Sequence, residues 1–201
     1  MANNRNFAGV KNMEEVFGGV GRLLWAEAGT AKPAKIADIL NPLTGELATG
    51  WHDYGATDGG LTKTRSADKT EWTCDQEDGV IDEKLTKWNM GLETSLIEVS
   101  QDNIKHAWSV GETTINTVDN ESTIGITAPS AIEERMIAFV VNKRDNLLRS
   151  FVYWRTKYNG EDTPMEFKKE DKWLLPLKLS ILIDPTEEVN KFGIVIDQLP
   201  E

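Results

Sequence analysis

The stretch KWNMGLETSL, residues 87–96, alternates between apolar and polar side chains along its whole length. The more apolar set consists of Trp88, Met90, Leu92, Thr94 and Leu96. The polar set consists of Lys87, Asn89, Gly91, Glu93 and Ser95. Because successive side chains of a β-strand point to opposite faces, this spacing predicts a long strand with one dry and one solvated side.

The same period of two continues on both sides of this strand. Upstream, residues 70–75 (TEWTCD) alternate in the same way, and downstream residues 173–184 (WLLPLKLSILID) place a leucine or isoleucine at almost every second position. Pro176 interrupts the second run and has no N–H to donate, so that side of the strand is expected to be an open edge or a bulge. Further strands are predicted within these segments: 21–28, 112–126, 135–143, 147–158 and 192–199.

Only one stretch in this region has the helical period. Residues 101–111 place Ile104, Ala107 and Trp108 on one stripe, with Asp102 as the expected N-cap and Gly111 as the stop. Many antiparallel strands and one helix predict a mainly β fold, a β-sandwich or barrel with one flanking α-helix. We expect an N-terminal arm with a short helix (1–21), followed by a single domain (22–201) with long loops at 29–50 and 55–70.

The composition argues against several classes of protein. The net charge of −11 is concentrated in residues 51–110 and 161–201, and no basic stripe is present that could hold nucleic acid specifically. The single cysteine excludes an internal disulfide framework. No apolar run reaches the roughly 18 residues of a membrane span, and the polar N-terminus lacks the core of a signal peptide. We therefore expect synthesis in a cytoplasm.

No combination of residues predicts catalysis, a cofactor or a firm metal site. His52 and His106 have no partner at metal-ligand spacing, and Cys74 lies among acidic residues that disfavour a thiolate. The acidic turn at 75–83 does not match the ligand spacing of an EF-hand, although an irregular cation site stays open. The protein is therefore not predicted to be an enzyme, and a hydrolase that uses scattered carboxylates is the weakest alternative.

The seven tryptophans divide into two groups. Five of them lie on apolar faces by periodicity and are predicted to be core: Trp25, Trp72, Trp88, Trp108 and Trp173. Trp51 and Trp154 are less determined. Trp51 begins a loop, where an aromatic side chain often anchors a protein contact. The alternative is a monomeric β-sandwich binding module, for instance for carbohydrate, in which Trp51 and Tyr54 form the platform.

Three stretches carry a resemblance to a known family. They are WHDYGATDGGLTKTRSADKTEWTCDQEDG (51–79), LETSLIEVS (92–100) with the helix after it, and FKKEDKWLLPLKLSILIDPTEEVNKFGIVID (167–197). In this order they resemble the major tail tube protein of long non-contractile-tailed, siphovirus-type bacteriophages, over roughly residues 22–198.

The resemblance implies a structural role in the virion tail. Such subunits are β-sandwiches that form hexameric rings, and the rings stack into a tube around a tape-measure protein, with terminator and tip proteins at the ends. DNA passes through the tube transiently on its way into the host. The implied partners are therefore copies of the same chain, these tail proteins and passing DNA, with no membrane binding by this chain and synthesis in the host cytoplasm.

Two sets of site residues follow from this likeness. The 55–70 loop, mobile in the free subunit and turned at its tip by the two glycines, is expected to bridge rings through these contacts: Trp51, Asp53, Tyr54, Asp58, Gly59, Gly60 and Arg65. One polar, net acidic surface is expected to line the bore without binding DNA, with these members: Glu71, Thr73, Asp75, Lys87, Asn89 and Glu93.

Overall fold

The computed structural model describes residues 21–74, 76, 78–110, 113–116, 121–126, 132–143, 147–161, 164–165 and 172–199. These residues form ten strands, one α-helix and a short 3-10 turn at Ile36–Asp38. In chain order the elements are β1 (Gly21–Glu27), β2 (Trp51–Asp53), β3 (Thr57–Trp72), β4 (Asp82–Leu96), α1 (Gln101–Trp108), β5 (Thr113–Asn116), β6 (Glu121–Ile124), β7 (Arg135–Asn142), β8 (Leu148–Tyr158), β9 (Leu175–Leu182) and β10 (Gly193–Asp197).

Eight strands form one antiparallel sheet in the order β2-β1-β7-β8-β9-β4-β3, and β10 also pairs with β8. β9 and β10 share one edge of β8: β10 takes residues 149–153, and β9 takes residues 155–158. β8 ends opposite Leu179, so Pro176 lies where β9 has no β8 neighbour. This confirms the open side predicted for that strand.

Two core clusters lie on the two faces of the sheet. In β1, Leu24 points into the first cluster and Leu23 into the second. The chain between β1 and β2 covers the first cluster with Ile36 and Ile39 of the 3-10 turn. Leu23 also shares the second cluster with Leu92 of β4, although three strands separate β1 from β4, so the sheet curls over on itself. The predicted mainly β, sandwich-like fold with one flanking helix is confirmed.

The helix forms where it was predicted, with different caps. Ser100 is the N-cap, and its Oγ accepts a hydrogen bond from the Asn103 N–H at 3.1 Å. Asp102 lies in the first turn, where the positive end of the helix dipole favours a carboxylate. The helix ends at Ser109 in the left-handed conformation, before the predicted glycine. Asn103 is buried and donates to the Tyr54 carbonyl at 3.0 Å, which ties the helix to the sheet.

Two expectations about the chain between β2 and β4 are wrong. Residues 57–70 are not a loop but most of the 16-residue strand β3, which pairs with β4 along nearly its whole length. Trp72 and Trp88 are not core residues, since they are 50% and 43% exposed. Trp173 is likewise 49% exposed. Alternation predicts which side chains share a face, but it does not show whether another layer covers that face. The expected N-terminal helix lies outside the described residues.

Candidate assembly site

The β3–β4 hairpin extends beyond the sheet that holds its base. β9 pairs with residues 91–96 of β4, whereas residues 82–90 pair only with β3. Among the described residues, β3 has no strand on its outer edge. At about 3.3 Å per residue, the unsupported part of β4 is about 27 Å long. We call this two-stranded extension, residues 64–90, the arm.

The two strands pair irregularly at the base of the arm. Between the pairs Asp58–Ser95 and Thr62–Glu93, β3 contains extra residues that include Gly59 and Gly60. Both glycines have positive φ angles, 74° and 78°, and the Thr94 hydroxyl donates to the Gly60 carbonyl at 2.8 Å. The two glycines therefore form a bulge at the base of the hairpin. The expectation that they turn its tip is wrong.

The arm exposes large apolar side chains. Along its strands Trp72, Leu85 and Trp88 are each between 43% and 50% exposed, and Val80 and Ile81 beside the turn are 50% and 57% exposed. Its contacts within the chain are few. The Arg65 guanidinium stacks over the Trp88 ring at 4.3 Å. An isolated two-stranded hairpin is at best marginally stable in water, so an arm with this much uncovered apolar surface is suited to contact another molecule.

A second irregularity, halfway along the arm, decides which side chains share a face. Asp68 pairs with Lys87 but Lys69 pairs with Leu85, so Thr86 has no partner on β3. This bulge turns Leu85 to the face that holds Trp88, although strict alternation would place it with Lys87. The Thr86 hydroxyl donates to the Asp68 carbonyl at 3.1 Å and fills the gap.

The end of the arm is acidic, whereas the strands that lead to it are basic. We call residues 71–83 the tip; they contain six acidic residues and no lysine or arginine. The strands beneath it carry more basic than acidic residues. Lys69 lies at the boundary and forms ion pairs with Glu71 at 2.6 Å and Glu83 at 2.9 Å. The hydrogen bonds that Lys69 donates to these two carboxylates hold its pKa above the ordinary value.

His106 of α1 is buried in a cluster of aromatic rings. Burial, together with the charge of Arg135, lowers the pKa of His106 to about 2, so this imidazole stays neutral and cannot act as a base near neutral pH. Arg135 stacks on Trp25 at 4.2 Å, and Trp25 stacks on His52 at 4.4 Å. The His106 ring also meets Trp25 in an edge-to-face contact at 4.5 Å, and this contact packs α1 against β1. In the part of the chain that is described, no cluster of three or more His, Cys, Asp or Glu side chains could hold a metal ion.

The comparison with known families identifies the chain. The model of a family described as "Phage tail tube protein" matches residues 8–193, which include the whole arm and every strand of the sheet except β10. The chain belongs to the phage tail tube protein family. It is therefore a structural component of a virion tail whose family implies self-assembly into a tube. A search of curated proteins found no match. None of the described helices is long and apolar enough to cross a membrane.

Most of the contact residues predicted for this tail tube protein lie outside the arm. Trp51 and Tyr54 are only 4% and 1% exposed, so neither side chain forms an open platform for a sugar or a neighbouring copy. Asp53 is paired with Arg22 at 2.7 Å. Asp58 is held at the base of the arm by Lys172 at 2.6 Å. Of the predicted set, Arg65 alone lies within the arm, beyond the two bulge glycines.

The predicted bore residues of this tail tube protein lie on one hairpin but not on one face. Lys87, Asn89 and Glu93 pair with even-numbered residues of β3 and share a face with them. Glu71 is an odd-numbered β3 residue and lies on the opposite face, so the single acidic surface expected from the sequence is wrong. Thr73 follows the end of β3 and is exposed, and Asp75 lies outside the described residues.

Sequence patterning alone did not single out Leu85, Val80 and Ile81, which the structure leaves exposed on the arm. A signal was available, because the polar, β-branched run before Trp72 faces the alternating run after Asp82 across an Asp-Gly turn, which is typical of a hairpin. That no other strand covers the hairpin could not be read from the pattern.

Proposed function

We propose that this chain is the ring-forming subunit of the tail tube and that the arm makes its principal contact between copies. Copies assemble into hexameric rings, and the rings stack around a tape-measure protein to form the conduit for DNA ejection. The observation that carries the proposal is the arm itself: about 27 Å of two-stranded sheet with an open edge and exposed tryptophans. The role is structural, without catalysis, and the protein is made in the host cytoplasm.

A contact made by the arm can extend from one copy to the next. The arm leaves one side of the sheet and its partner surface lies elsewhere on the next copy, so the contact is head-to-tail. Such contacts close into rings or continue as stacks, according to the rotation between copies. Covering an exposed strand edge also removes a site of unregulated aggregation. Assembly through the arm therefore explains why a long, partly apolar edge is kept.

The polar face of β4 is our candidate for the bore. Lys87, Asn89 and Glu93 share it with Ser66 and Asp68 across the hairpin. A wall with charges of both signs and few apolar groups binds duplex DNA weakly, and charges act on the phosphates only within about 8–10 Å at physiological salt. An assembled structure with this face on the outer surface would exclude the assignment.

Removing the arm tests the proposal directly. Arg65 and Met90 are cross-strand partners. Residues 66–89 can therefore be replaced by an Asn-Gly turn that keeps the register. We expect the shortened chain to remain folded, with its unfolding free energy within about 1 kcal/mol of the full chain, because exposed positions contribute little.

The readout is tube formation by negative-stain microscopy and sedimentation, with the circular dichroism spectrum as the measure of folding. Leu43→Ser, which removes a 95% exposed apolar side chain outside the arm, is the control and should still give tubes. Normal tubes from the folded, shortened chain would contradict the role of the arm. A full chain that forms neither rings nor tubes at any concentration would contradict the proposed function as a whole.

A further inference from the structure

An open groove lies where the arm leaves the sheet. Its larger part, about 630 Å³, runs between residues 86–90 of β4 and the end of β9. A second part, about 340 Å³, continues between the arm and β8 and β10. Met90 and Phe192 line both parts, so they form one continuous feature. We call it the base groove.

The base groove is apolar and basic. Its apolar lining includes Trp88, Ile181, Ile183, Phe151 and Val195. Its charged lining residues are Lys63, Lys87 and Lys191, and no carboxylate is among the described residues that line it. Lys63 is stacked over the Tyr153 ring at 5.1 Å, so its charge is held inside the groove.

The tip of the arm has the complementary chemistry. It presents Trp72, Val80 and Ile81, each at least half exposed, beside carboxylates that include Asp78 and Asp82. The tip continues the same two paired strands beyond residues 86–90, which line the groove, so it cannot fold back into its own groove while β3 and β4 stay paired. The occupant that fits the groove in both charge and polarity is therefore the tip of another copy.

We propose that the arm tip of one subunit docks in the base groove of the next. This inference rests on the proposed function and names the partner surface of the arm. Each copy carries one tip and one groove, so the contact is heterologous and extends from copy to copy. The apolar side chains of the tip meet the apolar wall, and the carboxylates of the tip meet the groove lysines at the rim, where opposite charges select the partner and its register.

Charge exchange between two variants tests the pairing. The groove variant is Lys63→Glu with Lys191→Glu, and the tip variant is Asp78→Lys with Asp82→Lys. Each alone sets like charges against each other, and we expect the assembled fraction in a sedimentation assay to fall at least ten-fold. Mixed in equal amounts, the two variants regain opposite charges at every contact, and assembly should return to within two-fold of the natural chain.

A variant with the same added charge elsewhere is the control for net charge. Glu27→Lys with Glu46→Lys adds the same charge as the tip variant at exposed sites away from the arm, and it should assemble normally. The proposal would be overturned if the groove variant or the tip variant alone assembled normally, or if the mixture assembled no better than either variant alone. If the natural chain forms tubes in the same assay, the proposed function stands even when these results overturn the docking of tip in groove.

Cross-linking gives a second test that needs no charge reversal. Cys74 is the only cysteine of the chain and lies in the tip. With Lys191→Cys, a bis-maleimide reagent should join tips to grooves and produce a ladder of dimers, trimers and longer species under denaturing electrophoresis. Glu27→Cys, away from the groove, is the control. A ladder no stronger than the control, or cross-links confined to single chains, would also overturn the proposal.

Discussion

Trp154 and Trp88 show how differently two regions of this molecule use the same side chain. Trp154 lies in β8, 6% exposed within the first core cluster, and its indole N–H donates to the Asn190 carbonyl at 2.8 Å. Trp88 lies in the arm, 43% exposed, with a guanidinium over its ring. The sheet and helix outside the arm, which we call the body, bury Trp154 within one chain, whereas the arm leaves Trp88 exposed.

The largest effect on the free chain should follow from truncating the buried ring. We expect Trp154→Ala to lower the free energy of unfolding by about 3–5 kcal/mol, because it leaves a large cavity and an unpaired carbonyl. Denaturant unfolding followed by circular dichroism measures it. A loss below about 1 kcal/mol would show that the body tolerates cavities as the arm does, and the contrast between the two regions would fail.

Two glycines make the same comparison for the backbone. Gly193 has φ 153°, and a Cβ there would lie 1.9 Å from the Val152 carbonyl oxygen, so Gly193→Ala must displace β10 from β8. We expect a loss of roughly 1–3 kcal/mol, the range for overpacking. Gly60→Ala, at φ 78° in open space, carries only the backbone strain of about 1 kcal/mol. Equal unfolding midpoints for the two variants would show that a Cβ at residue 193 does not clash with β8.

Acid should act on the body through Asp184. The carboxylate accepts from Lys32 at 2.7 Å and from the Thr186 N–H at 2.9 Å, which ties the segment after β1 to the loop after β9. The hydrogen bond from Lys32, followed by those from Thr186, lowers the pKa of Asp184 below its ordinary 3.8. The stability that this ionised carboxylate contributes is therefore full above pH 3.8 and is lost as the pH falls below that value.

Thermal unfolding between pH 5 and pH 2 measures this dependence. Asp184→Asn should lower the midpoint at pH 5 and flatten its fall toward pH 2. The matched change in the arm, Glu83→Gln, removes an exposed ion pair with Lys69 and should shift the midpoint little, since such pairs contribute about 0–1 kcal/mol. A curve for Asp184→Asn as steep as that of the natural chain would contradict the assignment.

The smallest effect on the free chain, with a large effect on assembly, is expected in the arm. Trp88→Ala removes a half-exposed ring and its stacking with Arg65, which contributes about 0.5–1 kcal/mol at exposed sites. The unfolding midpoint should barely move, while the yield of tubes drops sharply. The exposed Leu43→Ser variant again serves as the control. Unchanged tube yield would mean that the apolar face of the arm is not an interface.

Local patterning predicted the elements of the body well. The apolar runs of β7 and β8, the alternation of β9 and the Ile104, Ala107 and Trp108 stripe of the helix predicted the strands, the helix and the mainly β class. These patterns have a physical cause: β7 and β8 lie between two core clusters and are apolar on both faces, whereas β9 and α1 face one apolar layer, so burial imposes a regular period on them.

The arm was harder to predict because nothing within the chain imposes such a period on it. β3 is polar on both faces, so most of it was predicted as part of the 55–70 loop. The bulge at Thr86 then changed which side chains share a face, and a one-residue irregularity of this kind leaves no periodic signal. The exposure of each tryptophan depends on which layers of the fold cover it. Trp51 is buried because another layer covers it, whereas Trp88 lacks such a layer.

The sequence positions of the two halves of the proposed contact set an order during translation. The arm is a local hairpin that is complete once residue 96 has been made, whereas the base groove needs Phe192 and the strand after it. At about 5–20 residues per second, roughly 5–20 s separate the two events. A nascent subunit can therefore offer its tip before it can receive one, so unfinished chains can bind to the growing tube but cannot extend it.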